Sequence, residues 1–178
     1  MNTIKKFILV INGPMCAGKS TLTRLFMEKE SAFRGSYDAL KWLIGGYSAD
    51  IEIHRTQAKE ITFGAISAAV EQGLSIVIDG GFNDYRERYK ELAEKNDFKY
   101  LSVNIEAPVD ILEKRFLERV ESAMIKGNKI ACKTLDGFRS RYDWYLSTNK
   151  DPDGLVFNSE ELTPEEIIMK IIGVINEK

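Results

Sequence analysis

Two hydrophobic patterns take turns along the 178-residue chain. Short unbroken apolar runs, as parallel strands buried on both faces require, are separated by longer stretches with apolar residues at helical spacing. Phe7-Ile8-Leu9-Val10-Ile11 is the first run, and Thr21 to Met27 is the first helical stretch. A short second strand segment ends at Ser36-Tyr37-Asp38, and a short helix continues through Leu43. The spacing next predicts a long helix from Ile53 to Gln72, stopped by Gly73, and a strand at Ser75-Ile76-Val77-Ile78-Asp79. A charged helix around Tyr85 to Lys95 precedes a strand over Tyr100 to Ile105. Pro108 opens a helix from Asp110 to about Ser122, another runs from about Leu135 to Leu146, and Leu155-Val156-Phe157 is the last strand. Thr163-Pro164-Glu165-Glu166 forms a capping box with proline at the first helical position, ahead of an isoleucine-rich helix. The alternation predicts an α/β fold: a three-layer α/β/α domain over residues 1–178 around five parallel strands. Met124 to Lys133 is polar, contains glycine and has no period, so a small lid is expected over about residues 120–134.

Composition narrows the choice of partner. A net charge of −2 argues against a broad basic surface, so nucleic acid is not an expected ligand. Cys16, Cys132 and the single His54 are too few for a zinc ribbon or a metal cluster built from the usual ligands. The chain reads as a reduced, cytoplasmic protein. Met1 to Phe7 imitates the basic start of a secretory signal, but its apolar stretch ends at Asn12, and no window is apolar enough to span a membrane.

Candidate chemistry begins at Gly13-Pro14-Met15-Cys16-Ala17-Gly18-Lys19-Ser20, which fits the phosphate-loop pattern G-x-x-x-x-G-K-[ST]. Such a loop turns successive backbone N–H groups toward phosphates, and the following helix aims its positive end at them. In this pattern the lysine reaches the outer phosphates and the serine hydroxyl ligates Mg²⁺. Gly13 through Thr21 is therefore the expected ATP-binding segment, with Ser20 on the metal. Asp79 ends a strand, where it either ligates the metal or starts the turn at Gly80-Gly81. Gly80 occupies the place where many motor ATPases carry a water-activating glutamate, which weakens a hydrolytic reading. Asn149-Lys150-Asp151-Pro152 and Asp79-Gly80-Gly81-Phe82 each miss one defining residue of the GTPase motifs. A phosphotransferase remains.

Asp38 is the candidate general base, with helix capping as its alternative role. Lys41, one turn on, is positioned either for an anionic or polar part of the acceptor or for plain solvent exposure. Arg115 and Arg119 lie four apart and repel unless an anion sits between them, as a transferring phosphoryl group would. Their alternative is a solvated helix shared with Glu118 and Glu121. Asn83 and Arg86 follow Asp79 as acceptor-contact candidates, with Arg88 beside them. His54, Tyr142, Trp144 and Tyr145 read first as packing residues.

The order Gly13…Gly18-Lys19-Ser20, Asp38-x-x-Lys41, Asp79 with Asn83, then Arg115-x-x-x-Arg119 resembles the polynucleotide-kinase-like branch of the P-loop kinases. That branch includes zeta-toxin-type kinases and chloramphenicol phosphotransferase, with an ATP-binding kinase domain of the AAA type. The resemblance covers the chain to about residue 120. It implies the strand order 2-3-1-4-5, ATP and Mg²⁺ as cofactors, Asp38 as base, and Arg115 and Arg119 as lid arginines touching phosphates. Two departures stand out. Lys41 replaces the family's usual arginine, and Cys16 stands where glycine is common, a place open to other residues provided φ stays negative. The expected function is ATP- and Mg²⁺-dependent transfer of the γ-phosphate to a small-molecule hydroxyl. A polynucleotide-end kinase and a nucleotide-binding regulatory protein are the alternatives.

Overall fold

The computed structural model describes residues 5–80, 83–127 and 132–177. Strand β1 (Phe7–Asn12) is buried at every position. It can be, because parallel neighbours hydrogen-bond both its edges and helices cover both its faces. The sheet runs β2 (Ala32–Gly35), β3 (Ser75–Asp79), β1, β4 (Lys99–Glu106), β5 (Leu155–Asn158), as the resemblance implies. All its pairings are parallel.

Alternation along β1 divides the core in two. Phe7, Leu9 and Ile11 pack with α1 (Lys19–Lys29), α5 (Val109–Ile125), α6 (Leu135–Trp144) and α7 (Pro164–Asn176). Ile8 and Val10 face α3 (Glu52–Glu71) and α4 (Arg86–Lys95). Phe7 and Phe26 meet edge to face with centroids 5.7 Å apart. The short helix α2 (Tyr37–Leu40) follows β2, and a 3₁₀ turn over Lys41–Leu43 extends it.

Local signals set the helix ends as expected in two places. The Thr163 side chain accepts from the Glu166 N–H while Glu166 returns to the Thr163 N–H, closing the capping box of α7. Helix α3 ends where Gly73 turns left-handed and the Leu74 N–H reaches back to the Ala69 carbonyl. Other ends differ. Helix α5 runs on to Ile125, past the expected stop at Ser122, so most of the expected lid's first half is helical. Residues 128–131 of that lid lie outside the described residues. Helix α6 gives way at Tyr145 to a π turn ending at Asn149.

The near-miss motif Asn149-Lys150-Asp151 carries structural duties. Asp151 is buried, and its backbone exchanges two hydrogen bonds with the Asn104 side chain, at 2.7 and 3.1 Å. Its carboxylate meets Arg86 at 3.2 Å, while Lys150 meets Glu106 at 2.8 Å. These links tie the entry of β5 to β4 and to the head of α4.

Helices α3 and α4 are clamped at Glu60, whose carboxylate accepts from Arg88 at 2.6 and 3.1 Å and from the Tyr85 hydroxyl. The Arg88 guanidinium also lies 3.9 Å from the Phe63 ring centroid. Donation from Arg88, then from Tyr85, holds the Glu60 carboxyl down at about 2. Because the folded value lies below the ordinary one, this stabilisation is present above the ordinary value of 4.5 and lost as pH falls toward 2. Glu60→Gln should therefore lower the thermal midpoint at pH 7 and leave it nearly unchanged at pH 2. An equal loss at both pH values, followed by circular dichroism, would reject the clamp.

Candidate functional site

The site forms where β1 ends between β3 and β4. The connection leaving β1 runs to β2 on one side, whereas the one leaving β3 crosses to β4 on the other, and open α/β sheets bind ligands at such a point. Gly13 must leave β1 under a tight constraint: a Cβ on it would stand 2.3 Å from the Ile105 carbonyl oxygen of β4. The loop then curls, with Cys16 at φ 66° and Gly18 at φ 98° before α1 starts at Lys19. No side chain caps this helix end, so its first N–H groups are available to an anion. Cys16 therefore sits in the left-handed region, contrary to the condition under which a non-glycine residue was expected to fit.

Lys19 folds onto its own loop and donates from Nζ to the carbonyls of Gly13 and Pro14, at 2.8 Å each. Burial pushes its ammonium below the ordinary lysine range; Asp79, Cys16 and Asp38 pull it back up, and Arg119 pushes it down. Asp79 lies in register with Ile11 of β1, and its Oδ2 accepts from Arg34 Nη2 at 2.6 Å. One carboxylate oxygen is thus paired with Arg34 on the neighbouring strand.

Asp38 is not a cap. Ser36 caps α2 by accepting from the Ala39 N–H at 3.4 Å, which leaves the Asp38 carboxylate 82% exposed in the first turn. Lys41 donates to that carboxylate, and its ammonium lies 5.4 Å from the Tyr37 ring and 5.1 Å from the Trp42 ring. Lys41 is thus paired with Asp38 in the free protein.

The two arginines of α5 divide. Arg115 uses Nη1 and Nη2 on the Ser159 hydroxyl and carbonyl, both at 3.0 Å, and so becomes a fixed wall instead of a free phosphate clamp. It lines a cavity of about 370 Å³ with Ala17, Leu22, Leu162, Pro164 and Ile167, between the phosphate loop and α7. Arg119, one turn later, is exposed and is the arginine whose charge reaches Lys19. A wider cavity of about 610 Å³ runs from Ser20 and Thr21 past Arg24 to Arg34.

Residues 9–136 of the chain match the AAA domain. The chain belongs to the AAA domain family. L-seryl-tRNA(Sec) kinase of Methanococcus maripaludis is 22% identical over 171 residues, covering 94% of this chain and 65% of that relative. The APS kinase of Mycobacterium tuberculosis, solved with AMPPNP and APS, superposes with a TM-score of 0.67 at 14% identity, over 98% of this chain and 100% of the other. The tunicamycin resistance protein of Deinococcus radiodurans gives 0.62 at 13% identity, over 98% of both chains. The P-loop kinase fold is thereby established.

Within this AAA domain the remaining expectations fall unevenly. Arg86 Nη1 is paired with the buried Asp151, while its buried Nε has no partner among the described residues. The side chain of Asn83 lies outside the described residues. His54 is structural: its Nδ1 accepts from the Ser48 N–H at 3.1 Å. Tyr145 donates to Glu106 at 3.0 Å, and Tyr142 stacks on Phe138. Sequence reasoning missed the roles of Arg34, Ser36 and Ser159; none belongs to a motif, and they reach the site through the β2–β3 register, the cap of α2 and the segment between β5 and α7. Among the described residues no helix is long and apolar enough to cross a membrane.

The loop's backbone gives two opposite expectations. Cys16→Gly relieves a left-handed side-chain residue and should raise stability by about 0.5–1 kcal/mol, after the entropy gained by the unfolded chain. Gly13→Ala forces a methyl against a backbone carbonyl and should lower it by about 1–3 kcal/mol. Urea midpoints measure both, and a neutral Gly13→Ala would show that the loop exit is not constrained.

Proposed function

We propose that this chain is an ATP- and Mg²⁺-dependent kinase that moves the γ-phosphoryl group to a hydroxyl of a small molecule. The observation that carries this reading is the phosphate loop at the uncapped head of α1, with Lys19 Nζ held on the Gly13 and Pro14 carbonyls and Asp79 at the end of the strand beside β1. An ammonium with both a carboxylate for the metal and a carboxylate for the acceptor nearby suits phosphoryl transfer better than binding alone.

The Ser20 hydroxyl and the Asp79 carboxylate form an all-oxygen donor pair, which suits Mg²⁺. When bound, the ion offsets the negative charge of the phosphates. Lys19 leaves the Gly13 and Pro14 carbonyls for the outer phosphates. The base of the nucleotide occupies the cavity walled by Arg115, whose guanidinium plane is held by Ser159 and offers a stacking surface. Asp38 takes the acceptor's proton as the acceptor oxygen bonds to the γ-phosphorus and the bond to the β,γ-bridging oxygen breaks, releasing ADP. Arg119 meets the charge that grows on the transferring group.

A second reading, a hydroxyl carried on RNA, is favoured by the relative named L-seryl-tRNA(Sec) kinase. This chain spans 65% of that relative's length, and its net charge of −2 offers no broad basic surface for RNA. A screen of small alcohols against RNA-borne hydroxyls, read by ADP release, separates the two.

Asp38→Asn keeps the helix, because Ser36 is the cap, and removes the proton acceptor. Turnover should fall ~100-fold or more with the thermal midpoint unchanged. Ser36→Ala should do the reverse, costing about 1 kcal/mol of stability. Full activity in Asp38→Asn would remove the general base from the scheme. The α5 arginines should separate kinetically: Arg119→Ala lowers kcat ~100-fold, whereas Arg115→Ala mainly raises KM for ATP about tenfold. Identical profiles for the two variants would overturn that division.

A further inference from the structure

The carboxylate assigned to the metal already has a cation on it. Arg34 Nη2 lies 2.6 Å from Asp79 Oδ2. In register, Arg34 pairs with Val77, two residues before Asp79 on the neighbouring strand, so its side chain reaches along the sheet to the strand end. The pair is unequally exposed, with Asp79 at 9% and Arg34 at 42%. A carboxylate that has lost most of its water depends on this donor more than a surface aspartate would.

That arrangement conflicts with a divalent cation at the same oxygen. A guanidinium fixed at hydrogen-bond distance from Oδ2 keeps a full positive charge beside the metal's seat, and two cations at that separation repel. The guanidinium has somewhere to go. The cavity of about 610 Å³ that Arg34 shares with Ser20, Thr21 and Arg24 also holds Glu28, whose Oε1 accepts from Arg24 Nη1 at 3.3 Å and whose second oxygen can receive the displaced guanidinium.

We propose that Arg34 is a built-in counter-ion, a positioning residue that holds Asp79 in the free protein and yields when Mg²⁺ arrives with the nucleotide. It rests on the reading of Asp79 as the metal-side carboxylate. Free Mg²⁺ then competes poorly for the site, because displacing Arg34 takes more than one carboxylate and one hydroxyl can repay. Mg²⁺ bound to a triphosphate brings its own oxygen ligands and a negative charge, and succeeds. Metal and nucleotide therefore enter together.

Calorimetry tests this without turnover. The dissociation constant for ATP is measured with Mg²⁺ and with EDTA, and their ratio reports how strongly metal and nucleotide are coupled. Arg34→Gln removes the competing charge while keeping the side-chain length nearly intact, and should raise the ratio about tenfold, the scale of one charge-assisted hydrogen bond. Arg34→Lys, a looser partner on the same strand, should raise it about threefold, and serves if the glutamine variant does not fold. Mn²⁺ alone, followed by electron paramagnetic resonance, should bind the nucleotide-free Arg34→Gln protein more tightly than wild type. A ratio and Mn²⁺ affinity unchanged in both variants would reduce Arg34 to an edge-strand ion pair. Asp79→Asn in the wild-type background tells the two readings apart. If it leaves the ratio unaltered, the metal assignment itself is lost; if it collapses the ratio while Arg34 variants do nothing, only the counter-ion is lost.

Discussion

Burial of β1 on both faces and both edges is the constraint from which the site follows. A strand with a neighbour on each side and helices above and below has no freedom of register. Its last residue, Asn12, is fixed against Asn104 of β4, and Ile11 against Asp79 of β3. The phosphate loop thus starts at a point set by the whole sheet, and the contact between Gly13 and the Ile105 carbonyl fixes its first direction. Asp79 reaches the loop for the same reason, because parallel strands in register end at one level.

Much of this was legible beforehand, for unequal physical reasons. Phe7 to Ile11 and Ser75 to Asp79 are continuous apolar runs, and only strands covered on both faces tolerate them. The phosphate loop was legible because its glycines and lysine answer a backbone geometry that few sequences meet. Asp38 was ambiguous because aspartate both caps and catalyses; Ser36, two residues earlier, resolves it by taking the cap. The partners of Arg86 and Arg115, Asp151 and Ser159, lie too far along the chain for spacing to reveal, whereas Lys41 meets Asp38 one helical turn away. The π turn over Tyr145–Asn149 was equally invisible, since spacing does not reveal the buried bonds between Asp151 and Asn104 that follow it.

A common feature unites three of the site's charges: in the free protein each has an internal substitute for its ligand. Lys19 has two carbonyls, Asp79 has Arg34, and Asp38 has Lys41. Binding is then an exchange of partners instead of the filling of a bare charged cleft. The isolated site stays stable because no buried charge stands alone. The cost is that affinity reflects only the difference between old and new partners. Such a site discriminates by complete sets of contacts, and a ligand that supplies half of them gains little.

The sheet order also has a consequence for how the chain becomes folded. Ile8 pairs with Ile76 and Phe7 with Lys99, so β1 finds its partners only after long stretches of sequence. At ribosomal speeds of about 5–20 residues per second, β1 waits roughly 3–14 s for β3. During that interval Phe7 to Ile11 is an apolar, strand-prone segment with both edges unpaired. Lys5 and Lys6 immediately precede it, and like charges on neighbouring nascent chains repel. The same residues that give the finished protein its immovable centre are its most adhesive part at birth, and these two lysines guard it until the middle of the sheet is made.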